Sequence, residues 1–151
     1  MHGFWRAALY LAALGVLAHP VGQALPRSCF DPQRFPYRCR PWEKNGRIYE
    51  RLGVRRWKNK VPDMSHLLPD MVKKRLGQAN TLRLIQETCA AECVHWRLLL
   101  LSVGILPLWR SPWCWVLWLL YNLLGNLPYI IIQRYNRPRL LRLAEKEKRR
   151  S

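Results

Sequence analysis

Acidic residues are scarce in this chain: nine Asp and Glu stand against 26 Lys and Arg among 151 residues, for a net charge of +17. A chain so short of carboxylates cannot neutralise its own basic surface, so the surplus calls for an anionic partner, either nucleic acid, lipid headgroups or an anionic substrate. Familiar signatures are missing as well. There is no Gly-x-Ser-x-Gly elbow, no glycine-rich phosphate loop and no histidine-rich cluster, which sets aside α/β-hydrolase chemistry, P-loop nucleotide binding and a His-built metal centre. The five cysteines are odd in number. Cys89 and Cys93 stand one helical turn apart without a second pair, so the thiols read as small packing groups in a reduced setting. Neither a metal nor another cofactor is expected. No internal repeat or low-complexity tract occurs.

What the chain does have is segregation. Half of it is apolar, and the apolar residues sit in blocks with the charges between them. Residues 7–25 are uncharged, residues 98–109 form a second block of 12, and residues 111–132 form a third of 22. A soluble nucleic-acid binder spreads its basic residues over a folded face and has no use for runs of membrane length; nucleic acid is therefore not the expected partner. A bilayer imposes this segregation, because charge in hydrocarbon is expensive and the backbone there must close its own hydrogen bonds as helix. Eight tryptophans suit the headgroup boundary. The fold class is thus all-α, a small multi-span membrane protein with about three transmembrane helices and an interfacial basic segment.

Four parts follow. Residues 1–25 are a transmembrane helix or signal anchor, with Gly22, Gln23 and Ala24 as an alternative cleavage site. Residues 26–88 hold 15 of the 26 basic residues and form an interfacial segment whose prolines (Pro26, Pro32, Pro36, Pro41) forbid continuous helix at its start. Residues 89–133 are a membrane helical hairpin. Its first arm reaches spanning length only by counting back to Cys93 with Arg97 snorkelling, or else is re-entrant, and its second arm carries a kink at Pro128. Residues 134–151 are a basic tail. Positive-inside bias places the basic segment and the tail in the cytoplasm and the N-terminus outside, in the cell membrane.

Three constellations can carry chemistry. On a helix, Glu92 and His95 project from one side, a turn apart, where the helix meets the apolar block. A carboxylate there can hold the imidazole in one tautomer for proton abstraction, although the same pair also suits a mere interfacial cap. Asn126 is an amide within a span, followed by Gln133, Arg134, Asn136, Arg137 and Arg139 at the boundary. Guanidinium forks fit phosphate, but a plain basic stop accounts for the charges too. Around Trp57 and Lys58 lies an aromatic amid cations, the usual form of an interfacial anchor. Asp63 and His66 are a further acid–base pair of low specificity.

At these constellations the sequence resembles the glycosyl-4,4'-diaponeurosporenoate acyltransferase family, whose known member completes staphyloxanthin. Residues 54–60 with Pro62-Asp63, residues 87–96 and, above all, Gln133-Arg134-Tyr135-Asn136-Arg137-Pro138-Arg139-Leu140 after Asn126-Leu127-Pro128 carry the likeness. It covers roughly residues 48–140, and departs after Asp63, where Met64-Ser65 replaces a more glycine-like turn. The resemblance implies acyl transfer from a donor, as an acyl thioester, to the glucose C6 hydroxyl of a carotenoid glycoside among membrane lipids. It implies His95 as base, Glu92 orienting it, Asn126 or Gln133 at the oxyanion, and Arg134, Arg137 and Arg139 on the donor's phosphates, with Asn136, Trp57 and Lys58 also binding substrate. The rival reading is a non-catalytic basic adaptor for anionic lipid or partner enzymes.

Overall fold

The computed structural model describes residues 2–61 and 81–150; the turn containing Asp63 and His66 lies outside them. The helices are α1 (His2–Ala24), α2 (Ile48–Arg51), α3 (Val54–Trp57), α4 (Thr81–Leu101), α5 (Ile105–Leu108), α6 (Pro112–Gly125) and α7 (Leu127–Lys148). Three assemblies are long and apolar enough to cross a membrane: α1, the run Thr81–Leu108, and the run Pro112–Lys148. Among the described residues there is no strand. The chain is an all-α, multi-pass membrane protein.

The second span resolves the problem of the short block at 98–109. Helix continues from Thr81 through α4, one turn of 3-10 helix at Ser102–Gly104 and α5, so 28 residues are available, about 42 Å at 1.5 Å per residue. The third span bends where its chemistry weakens it. Gly125 lacks a side chain to pack and Pro128 lacks an N–H, and between them α6 ends and α7 begins at Asn126, whose backbone is drawn to the edge of the right-handed helical region (φ −119°, ψ −52°). The basic tail is not a free extension, because α7 carries it as helix along α4.

The spans alternate in direction. At one end Tyr10 Oη donates to the Leu101 carbonyl (3.0 Å), and at the other Arg27 Nε donates to Glu87 Oε1 (2.8 Å), so α1 and α4 are antiparallel. Likewise α4 and α7 run oppositely, with His95 beside Asn126 and Thr81 Oγ1 donating to Glu147 Oε2 (2.8 Å). Consequently the N-terminus and the 109–112 turn share one end, and the segment 26–61 shares the other with the tail. Ala7, Leu11, Ile105 and Cys114 form the core of the first end. Phe30, Cys89 and Ala90 pack near the second, beside Tyr49, Val54 and Tyr135. The outer faces of α1 and α6, including Trp5, Leu9, Trp113, Leu120 and Leu124, are exposed and meet lipid.

Close approach of α1 to the second span depends on glycine. A Cβ on Gly104 would lie 2.6 Å from Tyr10 Oη, and one on Gly22 3.2 Å from Val94 Cγ2; small residues let membrane helices pack backbone to backbone. Gly104→Ala is expected to destabilise the fold by about 1–3 kcal/mol through overpacking. The change is milder in a Tyr10→Leu background, which removes the ring end. Thermal melts of the purified protein in detergent check this, and equal losses in both backgrounds contradict it.

Candidate active site

Glu92 is wholly buried. A lone carboxylate at that depth is untenable, and α7 supplies two cations from one face, three residues apart. Arg134 Nη1 donates to Glu92 Oε1 at 3.0 Å, and Arg137 Nη2 donates to Oε2 at 2.6 Å. Arg134 Nε turns instead to Glu43 Oε1 at 2.7 Å, an oxygen that also accepts from Tyr49 Oη at 2.5 Å. Glu43 Oε2 accepts the Arg40 backbone N–H at 2.6 Å. Arg137 spends its other N–H groups on Thr88 Oγ1 (2.9 Å), the Thr88 carbonyl (3.0 Å) and the Tyr37 carbonyl (2.7 Å). Two carboxylates and two guanidiniums therefore cancel, with their hydrogen bonds largely satisfied, which is the condition under which buried charge is tolerated.

Burial by itself raises the Glu43 carboxyl. The Arg40 N–H, the Tyr49 hydroxyl and Arg134 outweigh burial and hold it below the usual carboxylate range. Burial and the neighbouring Glu43 push the Tyr49 phenol upward. Sixteen residues separate Glu92 from Leu108 at the far end of the span, about 24 Å along the helix. In a hydrocarbon core of about 30 Å, the network sits close to the boundary on the side of the basic segment.

His95 lies nearly one turn deeper on α4. Its Nδ1 meets Asn126 Oδ1 at 3.1 Å, and its ring stacks on Tyr129 with centroids 4.6 Å apart and planes inclined by 7°. Asn126 Nδ2 donates to Asn122 Oδ1 at 3.0 Å, and Asn122 Nδ2 donates to Ser102 Oγ at 3.1 Å. The helix break at Asn126 is what turns its amide in toward α4. His95 and Asn126 line an open groove of about 660 Å³ between α1, α4 and the α6–α7 span. The α1 wall mixes small residues such as Ala12 and Gly15 with Val16, His19 and Gln23, while Tyr121, Tyr129 and Gln133 bring polar groups from the α6–α7 span. The Arg27–Glu87 pair lies at the groove's polar end.

The structure sorts the expected residues into three places. His95, Asn126 and Gln133 share the groove. Glu92, Arg134 and Arg137 form the neutral network beside it. Arg139, Asn136, Lys58 and Trp57 gather around Tyr135: Lys58 Nζ donates to Asn136 Oδ1 (3.2 Å), Arg139 lies over the Tyr135 ring and pairs with Glu50, and Trp57 packs on the same cluster. The expected Glu92–His95 pairing takes a different form, since Asn126 meets the imidazole and Glu92 answers the arginines. Sequence reasoning missed Glu43, Tyr49, Thr88, Asn122, Ser102 and Tyr129. Of these, Asn122 carried a readable signal, an amide four residues before Asn126 in an uncharged span. Among the described residues, no three His, Cys, Asp or Glu side chains converge as metal ligands.

The profile of the glycosyl-4,4'-diaponeurosporenoate acyltransferase family matches residues 26–146. The chain is 32% identical over 139 residues to the enzyme of that name from Staphylococcus aureus (strain N315), covering 86% of this chain and 81% of that protein. It is 30% identical over 139 residues to the counterpart from Staphylococcus aureus (strain bovine RF122 / ET3-1), with the same coverage of 86% and 81%. No solved structure matches the chain. The matched region takes in the arginine–glutamate network, His95 and Asn126 together. An acyltransferase and not an inert adaptor, the chain belongs to the glycosyl-4,4'-diaponeurosporenoate acyltransferase family.

Proposed function

We propose that the protein esterifies the glucose C6 hydroxyl of a glycosylated carotenoid acid with a fatty acyl group taken from a thioester, with His95 as the general base. The observation that carries this reading is the position of His95: a histidine held by Asn126 and Tyr129 on the wall of a groove faced across by α1, whose small residues Ala12, Gly15 and Gly22 leave room beside Val16, His19 and Gln23. A long polyene or acyl chain lies along such a wall in place of lipid, and its sugar end meets the polar groups. His95 Nε2 takes the hydroxyl proton as the sugar oxygen attacks the thioester carbonyl. Gln133, one turn beyond Tyr129, donates to the oxyanion that forms. The carbon–sulfur bond then breaks, and the imidazolium returns its proton to the departing thiolate.

The arginines divide the remaining work. Arg134 and Arg137, committed to Glu92, Glu43 and backbone carbonyls, hold the loop at residues 36–43 against α4 and so build the floor of the site. The donor's phosphates fall to outward-facing cations. Arg34, Arg38 and Arg40 line a second open hollow of about 440 Å³, with Lys58 and Arg139 on the same polar end. Positive-inside bias orients that end toward the cytoplasm, where acyl thioesters are available.

The test is expression in a host that makes the glycosylated carotenoid acid, followed by mass spectrometry of the extracted pigment. A mass gain of one fatty acyl group is expected. Unchanged pigment, with the protein confirmed in the membrane, overturns the reading.

A further inference from the structure

An imidazole accepts a proton only through the nitrogen that carries none, and which nitrogen that is depends on what the other one meets. His95 Nδ1 meets an amide, and an amide is ambivalent: its oxygen keeps the hydrogen on Nδ1, while its nitrogen, turned over, would force the hydrogen to Nε2. Asn126 therefore cannot settle the tautomer by itself.

The decision is made further up the chain of bonds. Asn122 Nδ2 donates to the Trp118 carbonyl at 2.9 Å and to Ser102 Oγ at 3.1 Å. A carbonyl only accepts, and the Ser102 proton is already committed to the Leu99 carbonyl at 2.7 Å. Asn122 must thus present its oxygen to Asn126, and an amide oxygen only accepts. Asn126 must answer with Nδ2, at 3.0 Å, which leaves its own oxygen facing the ring. Tyr121, which also reaches Asn126, is a hydroxyl that donates or accepts and so imposes no direction. Asn122 and Asn126 are both buried, so water does not compete for these bonds.

We propose that Asn122 is a positioning residue that, through Asn126, holds His95 as the Nδ1–H tautomer with the Nε2 lone pair directed to the groove. Its consequence for rate rests on His95 being the base, whereas the tautomer stands whether or not His95 catalyses. The test is NMR of the full chain in detergent with 15N-labelled histidine, the His95 signals being identified among four histidines by their loss in His95→Ala. The wild type shows hydrogen on Nδ1. In Asn122→Leu, Asn126 is released to turn over, a second tautomer appears, and kcat falls in proportion to the lost Nδ1–H share while KM holds. Asn122→Asp keeps an acceptor toward Asn126 and restores the wild-type signature. Ser102→Ala also keeps it, because the Trp118 carbonyl remains. Hydrogen on Nε2 in the wild type overturns the proposal even if Asn122→Leu fails to accumulate, and so does an unchanged tautomer in folded Asn122→Leu. A switched tautomer with undiminished kcat upholds the proposal and removes His95 as the base.

Discussion

His95→Ala is expected to lower acyl transfer by roughly 10²–10⁴-fold, the usual contribution of a positioned general base, while the protein still folds into the membrane. The two halves of that result follow from different magnitudes. In the folded state the ring is half-buried on a groove wall, hydrogen-bonded to Asn126 and stacked on Tyr129; losing those contacts costs about 2 kcal/mol, small against a fold stable by about 5–15 kcal/mol. In the transition state the same loss is about 3–5 kcal/mol, taking 1.36 kcal/mol per tenfold in rate. The measurement is initial rate per amount of folded protein, quantified by gel filtration in detergent. A variant that retains wild-type turnover removes His95 from the mechanism. One that loses activity only in proportion to folded protein makes the residue structural. Asn126→Ala is the useful companion, because it releases the ring without removing it.

The spans were legible because the signal is local: an uncharged run of 22 residues reports its own environment. The second span was harder for a physical reason. Counting charges along residues 81–108 penalises Glu92 as though it met lipid bare, but its charge is cancelled by Arg134 and Arg137, about 40 residues away in sequence. Glu43 was invisible for the same reason. It sits in an irregular, proline-rich stretch with no periodicity to mark it as buried, and its partner Arg134 is 91 residues distant. Spacing put Glu92 and His95 on one side of a helix, a turn apart, and read them as a pair; in the structure they meet different partners. What each would bind depended on α7 crossing there, and on a break at Asn126 that aims one amide at the ring. The arginines at the boundary read as phosphate binders, or as a plain basic stop, because no carboxylate near them in sequence marked them as paired; the chain has nine acidic residues in all. Geometry spends two of those nine at this one point.

Glu92→Ala is expected to cost about 3–5 kcal/mol, the penalty for leaving a partner charge buried and unmatched: Arg137 loses its carboxylate, while Arg134 keeps Glu43. Set against a stability of about 5–15 kcal/mol, the loss takes a large share of the margin and lowers the amount of folded protein in the membrane. The cost is not the net worth of the ion pairs, since replacing a whole buried pair by apolar groups is often close to neutral. Glu92→Leu combined with Arg137→Leu is therefore expected to accumulate better than Glu92→Ala alone, with Arg134 still held by Glu43. The coupling between positions 92 and 137 is expected at about 1–3 kcal/mol, in the range found for groups in direct contact. A double-mutant cycle on thermal or denaturant unfolding in detergent measures it. Additive losses would show that the two side chains do not meet as described. Turnover per folded molecule separates the roles of the two α4 residues. If Glu92 acts by holding the loop at residues 36–43 against α4, the surviving folded fraction of Glu92→Gln keeps most of its turnover, whereas His95→Ala keeps almost none. Equal loss in both would return Glu92 to the chemistry and move the proton-handling unit one turn nearer the membrane boundary.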